Sequence, residues 1–339
     1  MKFEQIINTF TQLGLFLKKE IDNNPPVFHQ AYVNNNWFTI EYTNKAIKAW
    51  ADELSANNIK QWLMPYENIP APSSQKTIAI IMAGNIPLVG LHDLLAVLAA
   101  GHKALIKLSS DDTVLMKWII NALVSISPEL ISRIEITDER LPKNFDAVIA
   151  TGSNNTNRYF SYYFKDKPVV LRKARTSVAI ITGNETPDDL YKLGLDIFTY
   201  FGLGCRNVSK VFIPKEYDLG ILYEGIADFY EHINHHKYAN NYTYHKAILL
   251  MNLTEHLDNN FILFKQDKNL FSPLGVLYYE RYNDTNELQA LIQNHKDGIQ
   301  CIVSKNSFNN SIPFGKAQEP GLKDYADGVD TMQFLLSLN

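Results

Sequence analysis

Apolar residues at the N-terminal end of the chain recur three and four positions apart. Phe3, Ile6, Ile7, Phe10, Leu13 and Phe16 form one such series, and Ala46, Ile47, Trp50, Leu54 and Ile59 continue it. This spacing predicts helices with one apolar face through about residue 66. The stretch 68–75 holds Pro70, Pro72 and two serines and reads as a connector. A different pattern follows. Residues 77–82 (Thr-Ile-Ala-Ile-Ile-Met) form a continuous apolar run of strand length, as expected when both faces of a parallel strand are covered. Residues 88–100 read as a helix and 104–108 as a strand. Asp111 or Asp112 caps a further helix to about Val124. Strands at 134–136 and 147–151, a helix at 154–164, a strand at 178–182 and a helix from Asp188 or Asp189 to about Phe201 complete the alternation. Such alternation predicts a doubly wound parallel sheet.

In the second half, 208–213, 247–251, 261–264, 275–280 and 299–303 read as strands, with helical stretches near 219–233 and 286–295. The expected organisation has three parts. Residues 1–183 form a helical N-terminal segment with a nucleotide-binding domain, and 184–315 form a catalytic α/β domain. Residues 316–339 form a tail that packs back on the first domain.

Composition narrows the function. The 339 residues are 46% hydrophobic and 20% charged with a formal net charge of -4, the values of a globular protein with a sizeable core. That charge argues against nucleic-acid binding, which needs a strongly basic surface. The longest apolar stretch, 88–108, is interrupted by His92, Asp93, His102, Lys103 and Lys107, so no membrane span is expected. Two cysteines, Cys205 and Cys301, make no disulfide framework, and the start Met-Lys-Phe-Glu-Gln lacks signal-peptide character. A cytoplasmic chain with reduced thiols is expected.

Three segments carry candidate chemistry: Met82-Ala83-Gly84-Asn85-Ile86-Pro87-Leu88, Ala100-Gly101-His102-Lys103-Ala104-Leu105-Ile106-Lys107, and Phe201-Gly202-Leu203-Gly204-Cys205-Arg206. Each has an ordinary structural explanation: a strand-to-helix turn, a solvated lysine at a strand end, a buried inert cysteine. Each also has a chemical one. Asn85 can offer its side-chain NH2 to an oxyanion, and Lys107 can reach a ribose or phosphate. Cys205 lies between flexible glycines and Arg206, a cation that favours the thiolate.

Taken in order, these segments resemble the aldehyde dehydrogenase superfamily, specifically its acyl-CoA reductase branch, which includes the fatty acid reductase of bacterial luminescence. Asn85-Ile86-Pro87-Leu88 is similar to the superfamily's Asn-Phe-Pro-Leu turn. Lys107-Leu108-Ser109-Ser110 is similar to its Lys-Pro-Ser-Glu cofactor strand, and Thr151-Gly152-Ser153 to its Thr-Gly-Ser loop. Residues 318–330 also look typical of the branch. The resemblance implies a Rossmann-like cofactor domain beside a second α/β catalytic domain. It also implies Cys205 as nucleophile and Asn85, with the Cys205 backbone N–H, at the oxyanion. Lys107, Ser109, Gly152 and Ser153 then fall on the cofactor.

Two departures refine the expectation. No glutamate lies near 170–175, where the oxidising members keep the base that activates water, which favours reduction over carboxylate formation. The glutamate before the superfamily's Phe-Gly-Pro is also absent from 269–273. Ser110 stands where an acid would repel a 2′-phosphate, which favours NADPH over NADH.

The expected activity is NADPH-dependent reduction of an acyl thioester, acyl-CoA or acyl-carrier, to an aldehyde. Alternatives are a scaffolding member of an acyl-transfer complex or a thioester acyltransferase. Homo-oligomers or acyl-transfer enzymes are the partners considered. Arg172, Lys173, Arg175 and Arg206 are candidate phosphate or substrate cations, and His245 is a candidate general acid. No metal is expected: Glu231, His232, His235 and His236 have helical spacing but read as a polar helix end.

Overall fold

In the computed structural model, residues 3–67, 74–139, 142–305, 308 and 310–338 are described, so most of the 68–75 connector lies outside them. The chain forms two units. The first runs to Ala174 and includes the chain from Gly321 onward; the second is Arg175–Pro320.

The first unit begins with four helices, Phe3–Asn23, Pro26–Asn34, Ile40–Glu53 and Ala56–Leu63. Their apolar faces bury Ile6, Phe10, Leu13, Leu17, Phe28, Ile47 and Trp62. Thr39 and Ser55 cap two of them by accepting a backbone N–H three residues on. Five strands follow: β1 (Thr77–Ile81), β2 (Lys103–Lys107), β3 (Ile134–Ile136), β4 (Ala147–Thr151) and β5 (Val169–Arg172). They pair in parallel in the order β3-β2-β1-β4-β5. Chain order therefore reverses at β1, whose Ile78, Ala79 and Ile80 are fully buried.

The tail is fastened to this unit by buried polar contacts and a terminal helix, Thr331–Leu336. Trp62 Nε1 donates to Tyr325 Oη, and Tyr66 Oη donates to the Asp330 carboxylate. Arg172 joins Asp93 to Thr331. Burial, reinforced by Tyr325 and Asp330, pushes the Tyr66 phenol far above its usual range, so Tyr66 remains a donor.

The second unit holds β6 (Thr176–Ile180), β7 (Val208–Pro214), β8 (Leu257–Asp258), β9 (Leu263–Gln266), β10 (Val276–Tyr282) and β11 (Ile299–Ser304). The order is β11-β6-β7-β10-β9-β8, parallel except for the short β8–β9 pair.

Several expectations are corrected. The strand expected at 178–182 spans Thr176–Ile180 and lies in the second sheet, so the first unit closes at Ala174 rather than at 183. The expected strand at 247–251 is the last part of a helix, His236–Met251, in which Leu249 is buried while Ile248, Leu250 and Met251 face outward. Strand β5 was not foreseen. The helix expected to reach Phe201 ends at Phe198, and its cap is Thr186, which forms a reciprocal capping box with Asp189. Asp112 precedes the helix Thr113–Ile126, but its side chain does not cap it.

Candidate active site

At the carboxyl edge of the first sheet, the segments after β1, β2 and β4 gather on both sides of the strand-order reversal. Open α/β sheets bind ligands at such a point. Gly84 follows β1 and lies against the segment after β2. A Cβ there would sit 2.5 Å from Ser109 Oγ and 3.1 Å from the Asp112 nitrogen. The chain then turns through Leu88, which adopts φ 59°, and the Leu88 N–H donates to Asp112 Oδ2 at 2.7 Å. Asp112 is thus used to hold the Asn85–Leu88 turn. Its burial pushes its pKa up to about 8, against the lowering effect of the Leu88 hydrogen bond.

The half-buried Lys107 ends β2, its ammonium donating to the Asp138 carbonyl at 3.4 Å, and Ser109 Oγ accepts the Asp111 N–H at 3.3 Å. After β4, Ser153 caps the helix Asn154–Tyr163 by accepting the Thr156 N–H at 3.2 Å. Asn157 holds the loop from below, donating to the Gly152 carbonyl at 3.1 Å and the Arg172 carbonyl at 2.8 Å. An ammonium, two hydroxyls and a helix N-terminus at one sheet edge form a donor set that fits a nucleotide's hydroxyls and phosphates. Lys107, Ser109, Gly152 and Ser153 therefore come together in one unit, with Asn85 on the neighbouring turn.

The cations behave differently from one another. Arg172 is 6% exposed and paired with Asp93 and Thr331, so it is a tail anchor rather than the open cation a phosphate needs. Lys173 is exposed, and its backbone N–H donates to Asp327. Arg175 belongs to the second unit and donates to the Ile299 carbonyl at 3.2 Å. Three adjacent basic residues thus serve separate places.

Cys205 stands in the second unit, half-buried, on a turn built at some cost. The helix Pro187–Phe198 stops, and Tyr200 (φ 55°, ψ 31°), Phe201 (φ 55°, ψ 22°) and Gly202 (φ 80°) follow in left-handed conformation. Glycine adopts this freely. For each of the two aromatic residues it costs roughly 1–2 kcal/mol.

Surrounding contacts hold the turn. The Phe201 ring meets those of His235 at 4.4 Å, His232 at 5.4 Å and Tyr238 at 6.1 Å. His232 and His235, weighed as metal ligands, are thus packed in an aromatic cluster. No group of three or more metal-ligating side chains occurs among the described residues. Beneath the turn, Ser177 is fully buried and its hydroxyl donates to the Cys205 carbonyl at 3.1 Å.

Cys301, read as a core residue, is half-buried and lies 3.0 Å from the same Ser177 Oγ. The two cysteines are not disulfide-linked. Burial pushes the Cys301 thiol up, while Ser177 and the Arg206 guanidinium draw it down. The cation assigned to the Cys205 thiolate thus also acts on Cys301. His245, on the helix His236–Met251, has its pKa lowered by burial, so less of it carries the proton a general acid must give near neutrality.

Beside the turn, entirely within the second unit, lies a small cleft open to solvent. Phe198, Phe201, Tyr238, Ile262 and Leu274 supply its apolar wall, and Ser209 and Ser272 its polar atoms. Sequence reasoning missed this wall because its residues come from four separated segments. It also missed Asp112 and Ser177, polar residues whose partners lie 24 and 28 positions away.

The family model for acyl-CoA reductase (LuxC) matches residues 59–221. That span includes Asn85, Lys107, Ser109, Gly152, Ser153 and Cys205. No curated protein matches the sequence. Among solved structures, the chain is similar to aldehyde dehydrogenase 21 from Physcomitrella patens, with 12% identity and a TM-score of 0.68 over 90% of this chain and 74% of that one. It is similar to the NADP-dependent glyceraldehyde-3-phosphate dehydrogenase of Bacillus halodurans C-125, at 15% identity and TM-score 0.63 over 90% and 74%. An aldehyde dehydrogenase of Mycobacterium tuberculosis gives 11% identity and TM-score 0.66 over 90% and 73%. At these identities the structural likeness speaks for the fold, and the family model for the chemistry. Residues 59–221 thus carry the acyl-CoA reductase (LuxC) signature on an aldehyde dehydrogenase fold, and the chain is an oxidoreductase acting on acyl or aldehyde groups.

Proposed function

We propose that this protein reduces acyl-CoA to the corresponding aldehyde with NADPH, through an acyl group carried on Cys205. The observation that supports this most is the Cys205 turn: a half-buried thiol next to a backbone held in left-handed conformation, beside a small cleft. Backbone strain of this kind persists where the surroundings over-determine it, which is characteristic of reactive sites.

The Cys205 thiolate attacks the thioester carbonyl and expels the CoA thiolate, dividing one difficult displacement into two easier steps. The part of Asn85 at the oxyanion rests on the resemblance alone. Lys107, Ser109, Gly152 and Ser153 would hold the dinucleotide at the sheet edge. NADPH, when bound, would supply the hydride; with a proton taken up on its oxygen, the acyl thioester on Cys205 becomes a thiohemiacetal. Collapse of that adduct releases aldehyde and returns the thiol.

The chain from β5 into Ala174 carries no carboxylate where the oxidising members keep their water-activating base, so the acyl group on Cys205 awaits reduction rather than hydrolysis. The cleft beside the turn offers the acyl chain an aromatic and aliphatic wall. NADPH is preferred because Ser110 presents no charge against a 2′-phosphate. Among the described residues no helix is long and apolar enough to cross a membrane.

Purified protein mixed with medium- and long-chain acyl-CoAs should consume NADPH in step with aldehyde formation, and NADH more slowly. Cleavage of acyl-CoA with no nucleotide consumed would favour a thioester acyltransferase and overturn this reading. Failure to bind NADPH would point to a scaffolding role in an acyl-transfer complex.

A further inference from the structure

We infer that Asn207 is the positioning residue of the nucleophile; this inference rests on the reading of Cys205 given above. Asn207 is 2% exposed and every polar atom of its carboxamide is engaged. Its Nδ2 donates to the carbonyls of Asp196 at 3.1 Å, Ile197 at 3.2 Å and Thr199 at 2.7 Å. Asp196 and Ile197 stand in the last turn of the helix Pro187–Phe198, and Thr199 follows it, where carbonyls lack intrahelical partners. One side chain, two residues beyond the cysteine, therefore closes the helix that leads into the turn. Its Oδ1 accepts the Gly204 N–H at 2.8 Å, fixing the Leu203–Gly204 peptide that leads into Cys205.

The Asn207 backbone completes the clamp. Its N–H donates to the Gly204 carbonyl at 3.1 Å, and its carbonyl accepts from Ser177 N at 3.0 Å and Thr176 Oγ1 at 3.2 Å. Cys205 thus sits between two fixed points, a Gly204 held on both its N–H and its C=O and an Asn207 tied to the start of β6. The carboxamide suits the task because it offers donor and acceptor without charge. An ionised carboxylate of that length has no donor, and a hydroxyl offers a single donor from one atom, whereas the carboxamide presents two N–H groups and a separate acceptor. Its role is to hold the sulfur in attack geometry, where small misplacements carry large rate penalties.

The test uses the full-length protein and single-turnover acylation by a long-chain acyl-CoA, followed by intact-mass spectrometry. Asn207→Ala should slow acylation of Cys205 about a hundredfold while leaving the affinity for NADPH, held in the first unit, at the wild-type value. Wild-type acylation rate in a folded Asn207→Ala protein would overturn the inference. Asn207→Asp guards against a variant that merely unfolds. It keeps the acceptor for Gly204, and its protonated form restores one donor toward the helix carbonyls. Its acylation rate, taken as a ratio to wild type at the same pH, should rise as pH falls. A flat ratio in a folded protein would contradict a positioning role. If wild-type protein itself gains no acyl mass on Cys205, the underlying reading fails instead.

Discussion

Cys205→Ala is expected to lower acyl-CoA-dependent NADPH oxidation by at least about a thousandfold, a barrier increase of roughly 4 kcal/mol. No described side chain offers a ready substitute. Cys301 shares the Ser177 hydroxyl, but burial pushes its thiol up, away from the reactive thiolate. Melting temperature should change little, because Cys205 is half-buried and its turn is held through backbone and aromatic contacts that alanine retains. Steady-state kinetics and a thermal melt on the same preparation check both halves. Cys301→Ala should keep the greater part of the activity. A Cys205→Ala protein with wild-type turnover would remove the thiol from the mechanism.

The largest effect on stability is expected at Lys210, which is fully buried in β7. Its ammonium is paired with Glu280 on β10, donates to the Lys268 and Asn269 carbonyls at 3.0 and 3.3 Å, and lies over the Phe212 ring. Removing one partner of a buried ion pair strands the other charge, which costs roughly 3–5 kcal/mol. Lys210→Met should lower Tm by on the order of 10 °C. The double variant Lys210→Met/Glu280→Leu should recover much of the loss, since no unpaired charge remains.

The pair also reaches toward function. Residues 268–270 are held from β7 by Lys210 and by Ser209, whose hydroxyl donates to the Leu270 carbonyl at 2.9 Å, and they lead into Ser272, Pro273 and Leu274 of the cleft wall. A double variant that stays folded should therefore still show weakened acyl-CoA use. Equal melting temperatures for Lys210→Met and wild type would refute this account of the pair.

The first sheet was largely legible from sequence because its strands are buried on both faces. Ile78, Ala79 and Ile80 in β1, and Ala104, Leu105 and Ile106 in β2, stand out as apolar runs between turn residues. The second unit was harder. Ala247 to Met251 reads as a strand because five apolar residues in a row fit a short buried strand as well as a helix end. Only the polar turns before it, His236 to His245, decide the matter. Strand β5, with alternating burial, adjoins a basic cluster that reads as site chemistry.

The candidate site was legible to the extent that chemistry follows local order: glycines, a cysteine, and strand-to-helix turns. Long-range pairing was not. Arg172 looked like a phosphate ligand because Asp93, 79 positions earlier, and Thr331, 159 positions later, gave no signal beside it. Asn207 gave none either, since its partners are backbone carbonyls of a helix whose end the apolar pattern placed three residues too late.

The central claim is an acyl thioester on Cys205. Brief exposure of the protein to a long-chain acyl-CoA without nucleotide, followed by intact-mass and peptide mass spectrometry, measures it. A single acyl increment on the peptide bearing Cys205, discharged as aldehyde on addition of NADPH, is the predicted result. Aldehyde formation with that peptide unmodified, or the acyl group found on Cys301 instead, would contradict the account.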